Sequence, residues 1–361
     1  MKRINYVALV MLLLWVSGCG ETDRPPAPPP PPQIGIERFN AGSPNASFRL
    51  PDNEVFDILV DSQGRTWFST EAGIAMRDGT QPIVNFDDFN GIPNRKCRGI
   101  AELNGKIWVG TWGGGVAWWD GNVTWTALPV GVTRVVDGQV FDLAADDSSL
   151  WIATVAGLSQ YVDDDTRPMA DRFHQHTDRL GGRAGDNVIT SVAVNSDSTE
   201  VWVSKLPTVS DPGGGITILE VPDPDPGLPG GEIQVRTDNT AIPDKRVSEV
   251  VLNPATGIIW ASFPDAGLAS VDPANSVWTH FTTVEGFFSD LAQSVALRSN
   301  GEVWVGTLKG VSRMTPAGTI TNFIGGSGMP AERIRRVYVD GMDRVWLSFV
   351  GAGAGRVTSA P

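Results

Sequence analysis

Short runs of alternating apolar and polar residues, each closed by a glycine-containing turn, recur along this chain; a period of two is the signature of half-buried β-strands. The fullest case reads Ser294-Val295-Ala296-Leu297, a turn at Asn300-Gly301, Val303-Trp304-Val305-Gly306-Thr307, Lys309-Gly310-Val311-Ser312-Arg313-Met314 and Thr319-Ile320-Thr321-Asn322-Phe323. Four short strands per unit follow from it. One tryptophan marks each unit: Trp67, Trp108, Trp151, Trp202, Trp260, Trp304 and Trp346. Their separations of 41, 43, 51, 58, 44 and 42 residues suit a four-stranded unit repeated seven times, not a helical solenoid or a heptad pattern.

Two positions after every one of these tryptophans stands a small residue: Ser69, Gly110, Ala153, Ser204, Ser262, Gly306 and Ser348. Strand periodicity puts the pair on one face, where the indole lies over the gap and packs into the next unit, burying on the order of 200 Å². All seven tryptophans are therefore expected to be structural core. The seventh unit supplies only three strands before the chain stops at Pro361. Ile34-Gly35-Ile36-Glu37-Arg38-Phe39 reads like residues 320–323 and 83–86, so Ile36 to Phe39 is expected to supply the missing outer strand and leave no open edge. The fold expected is all-β: a seven-bladed β-propeller of four-stranded blades whose N-terminal strand closes the last blade.

Composition agrees, since 41 Gly, 26 Pro and 13 Trp suit many short strands and tight turns. Insertions at 163–187 and 222–231 read as surface loops. Lys2 and Arg3 followed by an uncharged apolar run from Tyr6 to Val16 make a secretory signal, too short to span a bilayer comfortably. Val16-Ser17-Gly18-Cys19 resembles the lipobox of bacterial lipoproteins, which implies cleavage before Cys19, acylation of that cysteine and a stable lipid anchor. Gly20, in place of Asp, implies sorting to the outer membrane, at its periplasmic or surface face, in a Gram-negative host. The expected organisation is residues 1–18 signal peptide, 19–33 lipidated cysteine and linker, and 34–358 propeller. Within the linker, Pro25 to Pro32 form a semi-rigid polyproline spacer of roughly 25 Å at about 3.1 Å per residue.

The net charge of -13 becomes -15 once Lys2 and Arg3 are removed, which argues against nucleic acid as a partner. Cys97 is the only other cysteine, so with Cys19 acylated no internal disulfide forms and the fold rests on its core.

Ile107-Trp108-Val109-Gly110-Thr111 with Gly114-Gly115-Val116, and Leu150-Trp151-Ile152-Ala153-Thr154 with Gly157-Leu158, resemble the two-component regulator propeller repeat. The resemblance covers roughly residues 34–358 and implies a periplasmic sensor-type propeller that detects oligosaccharides or polysaccharide fragments. Here the propeller is single, with no kinase and no immunoglobulin-like module. A second resemblance, to the streptogramin B lyase family, would imply metal-assisted ring opening by a histidine near a Glu-x-His pair. No Glu-x-His occurs in the chain.

Few residues offer chemistry. His174 and His176 could present both rings on one side of a strand near Asp163-Asp164-Asp165, but spacing fixes no third ligand, and a solvated outer strand is the preferred reading. His280 reads as a rim residue. Cys97 stands where Val55, Val140, Val188 and Val247 stand in other blades, and reads as a buried small hydrophobe. No catalytic residue, metal site or cofactor is expected. The candidate ligand residues are those at the mouth where the innermost strands begin: Phe56, Arg98, Trp112, Phe141, Lys245, Arg246, Glu249, Arg335 and Arg336. Their cations could focus an anionic ligand, with Asp61, Asp146-Asp147, Asp197, Asp340 and Asp343 on the opposite face. Asp57, Asp142, Glu249 and Asp265 near the same mouth support instead a mixed, solvated surface. The function expected is envelope-anchored, non-catalytic recognition of a glycan, peptide or protein, in a role accessory to sensing; a lyase-type propeller enzyme and a subunit of an outer-membrane complex are the alternatives.

Overall fold

The computed structural model describes residues 30–119, 121, 123–128, 130, 135–176, 187–195, 200–208, 214–220, 234–236, 242–272 and 277–361. Cys19, Asp197, most of the proline spacer and the insertion at 222–231 lie outside the described residues. Seven four-stranded antiparallel sheets follow one another along the chain. Their innermost strands are Val55–Val60, Cys97–Leu103, Val140–Ala145, Ile189–Val194, Glu249–Leu252, Ala292–Leu297 and Ile334–Val339. These define blades one to seven. Each sheet is too small to bury its own apolar face, so clusters form between neighbouring blades, as where Trp67 and Ile74 of blade one pack on Ile100, Val109 and Trp119 of blade two.

The ring closes as expected. Gly35–Phe39 pairs antiparallel with Gly353–Ser359, from Gly35 opposite Ser359 to Phe39 opposite Ala354, and completes blade seven. Phe39 is buried with its ring 5.2 Å from Phe68 and 5.8 Å from Trp346.

Six of the repeat tryptophans are buried; Trp260 is only partly so and stacks 5.4 Å from Phe281. The hairpin turn before the tryptophan also differs among the blades. In five blades an acid of that turn or the strand start accepts the indole N–H: Asp61 from Trp67 (2.8 Å), Asp146 from Trp151 (2.9 Å), Glu200 from Trp202 (3.2 Å), Glu302 from Trp304 (3.5 Å) and Asp340 from Trp346 (2.8 Å). Blades two and five have no such acid: Trp108 is fully buried with its indole N–H unpartnered, and Asn253-Pro254-Ala255-Thr256-Gly257 offers Trp260 no carboxylate. Asp61 also accepts from Arg65 Nε at 2.6 Å and Asp340 from Arg344 Nε at 2.6 Å. Asp61, Asp146 and Asp340 are thus turn-locking groups, and the side chains of Asp61 and Asp340 are fully buried, so the acidic face expected from sequence is smaller than a count of carboxylates implies.

The small residue after each tryptophan sits where the next blade presses closest. A Cβ on Gly110 would stand 2.3 Å from Val140 Cγ1, and one on Gly306 would stand 2.6 Å from Ile334 Cγ2. Cys97 is fully buried in the slot held by Val55, Val140 and Val247 elsewhere. In blade four that slot belongs to Ile189, not Val188, because Ile189 is the residue opposite Lys205 at the start of the paired strand. His176 also departs from expectation: it is buried, 5.3 Å from the Trp151 ring, while His174 is half-buried opposite Gln160, so the pair does not form a solvated edge. His280 is exposed on the outer strand Val277–Phe281.

Burial pushes the Cys97 thiol far above its ordinary range, so little nucleophilic thiolate forms. Cys97 should therefore resist alkylation in the folded protein and react fully after denaturation, as followed by peptide mass spectrometry. Labelling of the native protein at the rate of a free thiol would contradict this packing.

Candidate functional site

Six of the seven inner strands slip register near their first residues, so that one extra residue bulges from the ladder. The bulge turns two consecutive side chains toward the axis and builds two stacked rings. The upper ring is Phe56, Arg98, Phe141, Thr190, Ser248, Gln293 and Arg335, one residue per blade. The ring beneath it is Asp57, Gly99, Asp142, Ser191, Glu249, Ser294 and Arg336. Six of these seven lie opposite or beside the small residue that follows the repeat tryptophan, as in Asp57 opposite Ser69 and Arg336 opposite Ser348; Gly99 holds the same level in blade two.

The lower ring stitches the blades together. Asp57 accepts the backbone N–H of Ile100 at 3.1 Å, Asp142 that of Val192 at 3.1 Å, Ser191 that of Val250 at 3.3 Å, Glu249 that of Val295 at 2.9 Å and Ser294 that of Val337 at 2.8 Å. Each acceptor belongs to one blade and each donor to the next. Blades two and three approach without such a side chain: a Cβ on Gly99 would stand 2.7 Å from Leu143 N and 2.8 Å from Asp142 Cα, so only glycine fits. Arg336 completes the circle, its Nε 3.0 Å from Asp57 and its Nη1 against Glu249.

Electrostatics in this ring are unbalanced, because Asp57, Asp142 and Glu249 share one cation. Burial raises Asp57 to about 6 and Glu249 to about 7, against the pull of Arg336. Burial also works against the Arg336 charge, yet Asp57, Glu249 and Asp142 outweigh it and hold the guanidinium above its ordinary value. Arg336 and Glu249, placed at the mouth by sequence, are therefore bound to each other one level deeper.

The upper ring brings the other candidates together. Arg98 lies over the Phe56 ring at 3.5 Å and over Trp112 at 5.5 Å, Arg335 lies over Phe56 at 4.4 Å, and Trp112 meets Phe141 edge-on at 5.0 Å. Carboxylates on the rim hold both guanidinium groups: Glu71 at 2.9 Å from Arg98 and Glu54 at 2.6 Å from Arg335. Desolvation alone would raise Glu71, but Lys96 and Arg98 bring its carboxyl below the ordinary range; burial draws Arg98 down. Half of the mouth, from blades seven through three, is thus a half-buried aromatic and guanidinium surface. The other half carries the uncharged Thr190, Ser248 and Gln293.

Lys245 and Arg246 stand exposed before the inner strand of blade five, and Arg246 is bound to Asp244 at 2.6 Å and Asp265 at 2.7 Å. Since Lys96, Arg98, Arg246 and Arg335 each have a carboxylate partner, this geometry favours the mixed surface over an anion-focusing one. Lys205 and Phe287 are buried and add nothing to the mouth surface. The turn-locking acids and the lower ring were missed, although two signals were present. Val55-Phe56-Asp57-Ile58 is echoed by Val140-Phe141-Asp142-Leu143, and Asp61, Arg65, Trp67 by Asp340, Arg344, Trp346.

Residues 49–72 match the two-component regulator propeller family. No curated protein sequence matches the chain. Among solved structures, the extracellular domain of a hybrid two-component system of B. thetaiotaomicron is similar at 17% identity and a TM-score of 0.68, over 91% of this chain and 42% of that one. The chain thus spans about two fifths of that sensor structure. Streptogramin B lyase is similar at 13% identity and a TM-score of 0.64, over 90% of this chain and 97% of the lyase. PorZ, a surface component of the type-IX secretion system of Porphyromonas gingivalis, is similar at 14% identity and a TM-score of 0.65, over 85% of this chain and 47% of PorZ. At these identities the likeness is one of fold. No described helix is long and apolar enough to cross a membrane. The chain is a seven-bladed β-propeller in which residues 49–72 match the two-component regulator propeller family.

Proposed function

We propose that the protein is an exported recognition lipoprotein, held at the cell envelope through acylated Cys19, whose upper mouth binds a glycan, peptide or protein without transforming it. The observation that carries this reading is the Phe56, Arg98, Trp112, Phe141 and Arg335 cluster. Aromatic faces there are aligned by guanidinium groups that are themselves fixed by Glu54 and Glu71. Such pre-set aromatic and arginine surface is what binding hot spots are made of, because little side-chain entropy is lost when a partner docks. Lys245 and Arg246 form the far rim of the same face, while Glu249 and Arg336 act on the ligand only by holding the blades that present it. The fold shared with extracellular sensor domains supports recognition outside the cytoplasm. An outer-membrane location rests on the lipobox and Gly20.

Two experiments test the reading. Replacing Phe56 and Trp112 together by Ala should weaken capture of the ligand from detergent-solubilised envelope at least roughly thirtyfold, since loss of one hot-spot side chain costs about 2 kcal/mol or more. The thermal transition should stay in place; undiminished capture would remove the mouth from consideration. Cys19→Ser should move the protein from the membrane fraction to the soluble one, and continued sedimentation with membranes would refute the anchor.

A further inference from the structure

Two cations of the upper mouth converge on a single phenyl ring: Arg98 lies 3.5 Å and Arg335 4.4 Å from the centre of Phe56. Both side chains are mostly buried, at 16% and 32% exposure. Burial draws Arg98 below its ordinary range and the like charge of Arg335 adds to that, against the pull of Glu71. Glu71 and Glu54 each engage one nitrogen of a fork, Nη1 of Arg98 and Nη2 of Arg335, and Arg98 Nη1 also donates to Cys97 O. The other donors facing this patch stay uncommitted. Nε and Nη2 of Arg98, Nη1 of Arg335 and the indole N–H of Trp112 beside them bond no described residue.

Acceptors, by contrast, are engaged within the fold. One oxygen of Glu71 takes Lys96 at 2.9 Å and the other takes Arg98 at 2.9 Å, while Glu54 is held by Arg335. Across the mouth Thr190 Oγ1 bonds Ser204 Oγ at 2.7 Å and Val247 O at 3.2 Å, and Ser248 Oγ donates to Ala292 O at 3.3 Å. Free N–H groups flanked by aromatic faces suit a partner group that only accepts hydrogen bonds and carries negative charge. Within the ion-paired set, Lys96, Arg98 and Arg335 outnumber Glu54 and Glu71 by one, so this patch is cationic although the rim as a whole is mixed.

From this excess of free donors over free acceptors we infer that the upper mouth seats a carboxylate flanked by an apolar side chain, the chemistry of a peptide C-terminus that ends in an aromatic or aliphatic residue. The carboxylate bridges Arg98 and Arg335, and the side chain lies against Trp112 and Phe141. The inference rests on the reading of the upper mouth as the recognition surface and narrows it to one ligand class. Ionic hydrogen bonds to a planar guanidinium add direction as well as strength, and an anion between two like charges relieves their repulsion. A sugar acid supplies the same carboxylate, but its hydroxyl groups would lose water against a surface with few free acceptors.

The test is calorimetric titration of the full chain at pH 7 with N-acetylphenylalanine, its uncharged amide and glucuronate. One equivalent of the acid should bind, about tenfold more tightly than the amide or glucuronate. Arg98→Lys, which keeps the charge and removes the planar fork, should weaken the acid about tenfold as well; Arg335→Lys serves if Arg98→Lys does not fold by its thermal transition. Equal binding of acid and amide, or acid binding that survives the lysine change, would overturn the inference. Glucuronate binding as tightly as the acid would overturn it in favour of a sugar acid, and absence of acid binding would overturn it outright. If the acid does not bind yet replacing Phe56 and Trp112 still weakens capture from the envelope, the mouth stands as a recognition surface for another ligand class; if that replacement leaves capture undiminished, the mouth itself falls.

Discussion

Replacing Arg336 by Met should cost the propeller about 3–5 kcal/mol at pH 8, because it strands Asp57, Asp142 and Glu249 in the channel without the cation they share. The loss should shrink markedly at pH 5. Asp57 and Glu249 already have folded-state values near 6 and 7, above the ordinary 3.8 and 4.5, so each binds its proton more tightly in the fold than in the unfolded chain. A raised carboxyl of this kind adds stability that is complete below the unfolded value, near 4, and disappears as pH climbs through 6 to 7. The wild type should accordingly gain stability between pH 8 and pH 5, and the Met variant should gain more, since its acids lack the guanidinium that favours their ionised form. Below about pH 4 the trend reverses, as Glu71, Asp244 and Glu302, whose carboxyls are held low by arginine partners, take up protons. Urea denaturation at the two pH values measures this; an equal loss at both would show that Arg336 acts through packing alone.

Deleting Gly35–Phe39 should abolish the cooperative thermal transition. Without that strand Gly353–Ser359 loses its whole outer ladder, and Phe68 and Trp346 lose the ring of Phe39 that lies between blades one and seven. An open ring exposes an unpaired edge that favours aggregation over folding. The same segment placed after Pro361 should restore the transition, because Gly35 already lies opposite Ser359 and only a tight turn is needed to join them. Failure of the moved strand to restore folding would mean that residues 35–39 contribute more than the closing strand. A deletion variant that unfolds like the wild type would mean that closure is not needed at all.

The contrast between these two regions explains what sequence could and could not disclose. The closing strand was legible because an outer strand has a local signature, an alternation ending in phenylalanine, that residues 34–39 share with residues 320–323. The tryptophan and its small neighbour were legible for the same reason, period two acting within one strand. The stacked rings were not, because a bulge shifts which residues face the axis while leaving residue types untouched. Without the bulge, Arg335 and Arg336 read as two equivalent mouth cations; with it, one stacks on Phe56 and the other is bound by Asp57 and Glu249 one level down. Similarly Asp61 and Asp340 counted as surface charge in the sequence, although their fixed spacing to Arg65 and Trp67, or Arg344 and Trp346, encodes a buried turn lock.

The most direct test of recognition at the upper mouth is to place a photoreactive benzophenone side chain either at Phe141, beside Trp112, or at Met342, exposed in the turn of blade seven on the opposite face, and to irradiate intact cells. Position 141 should give covalent adducts to an envelope glycan, peptide or protein while position 342 gives none. Adducts in equal yield from both positions, or from position 342 alone, would contradict it.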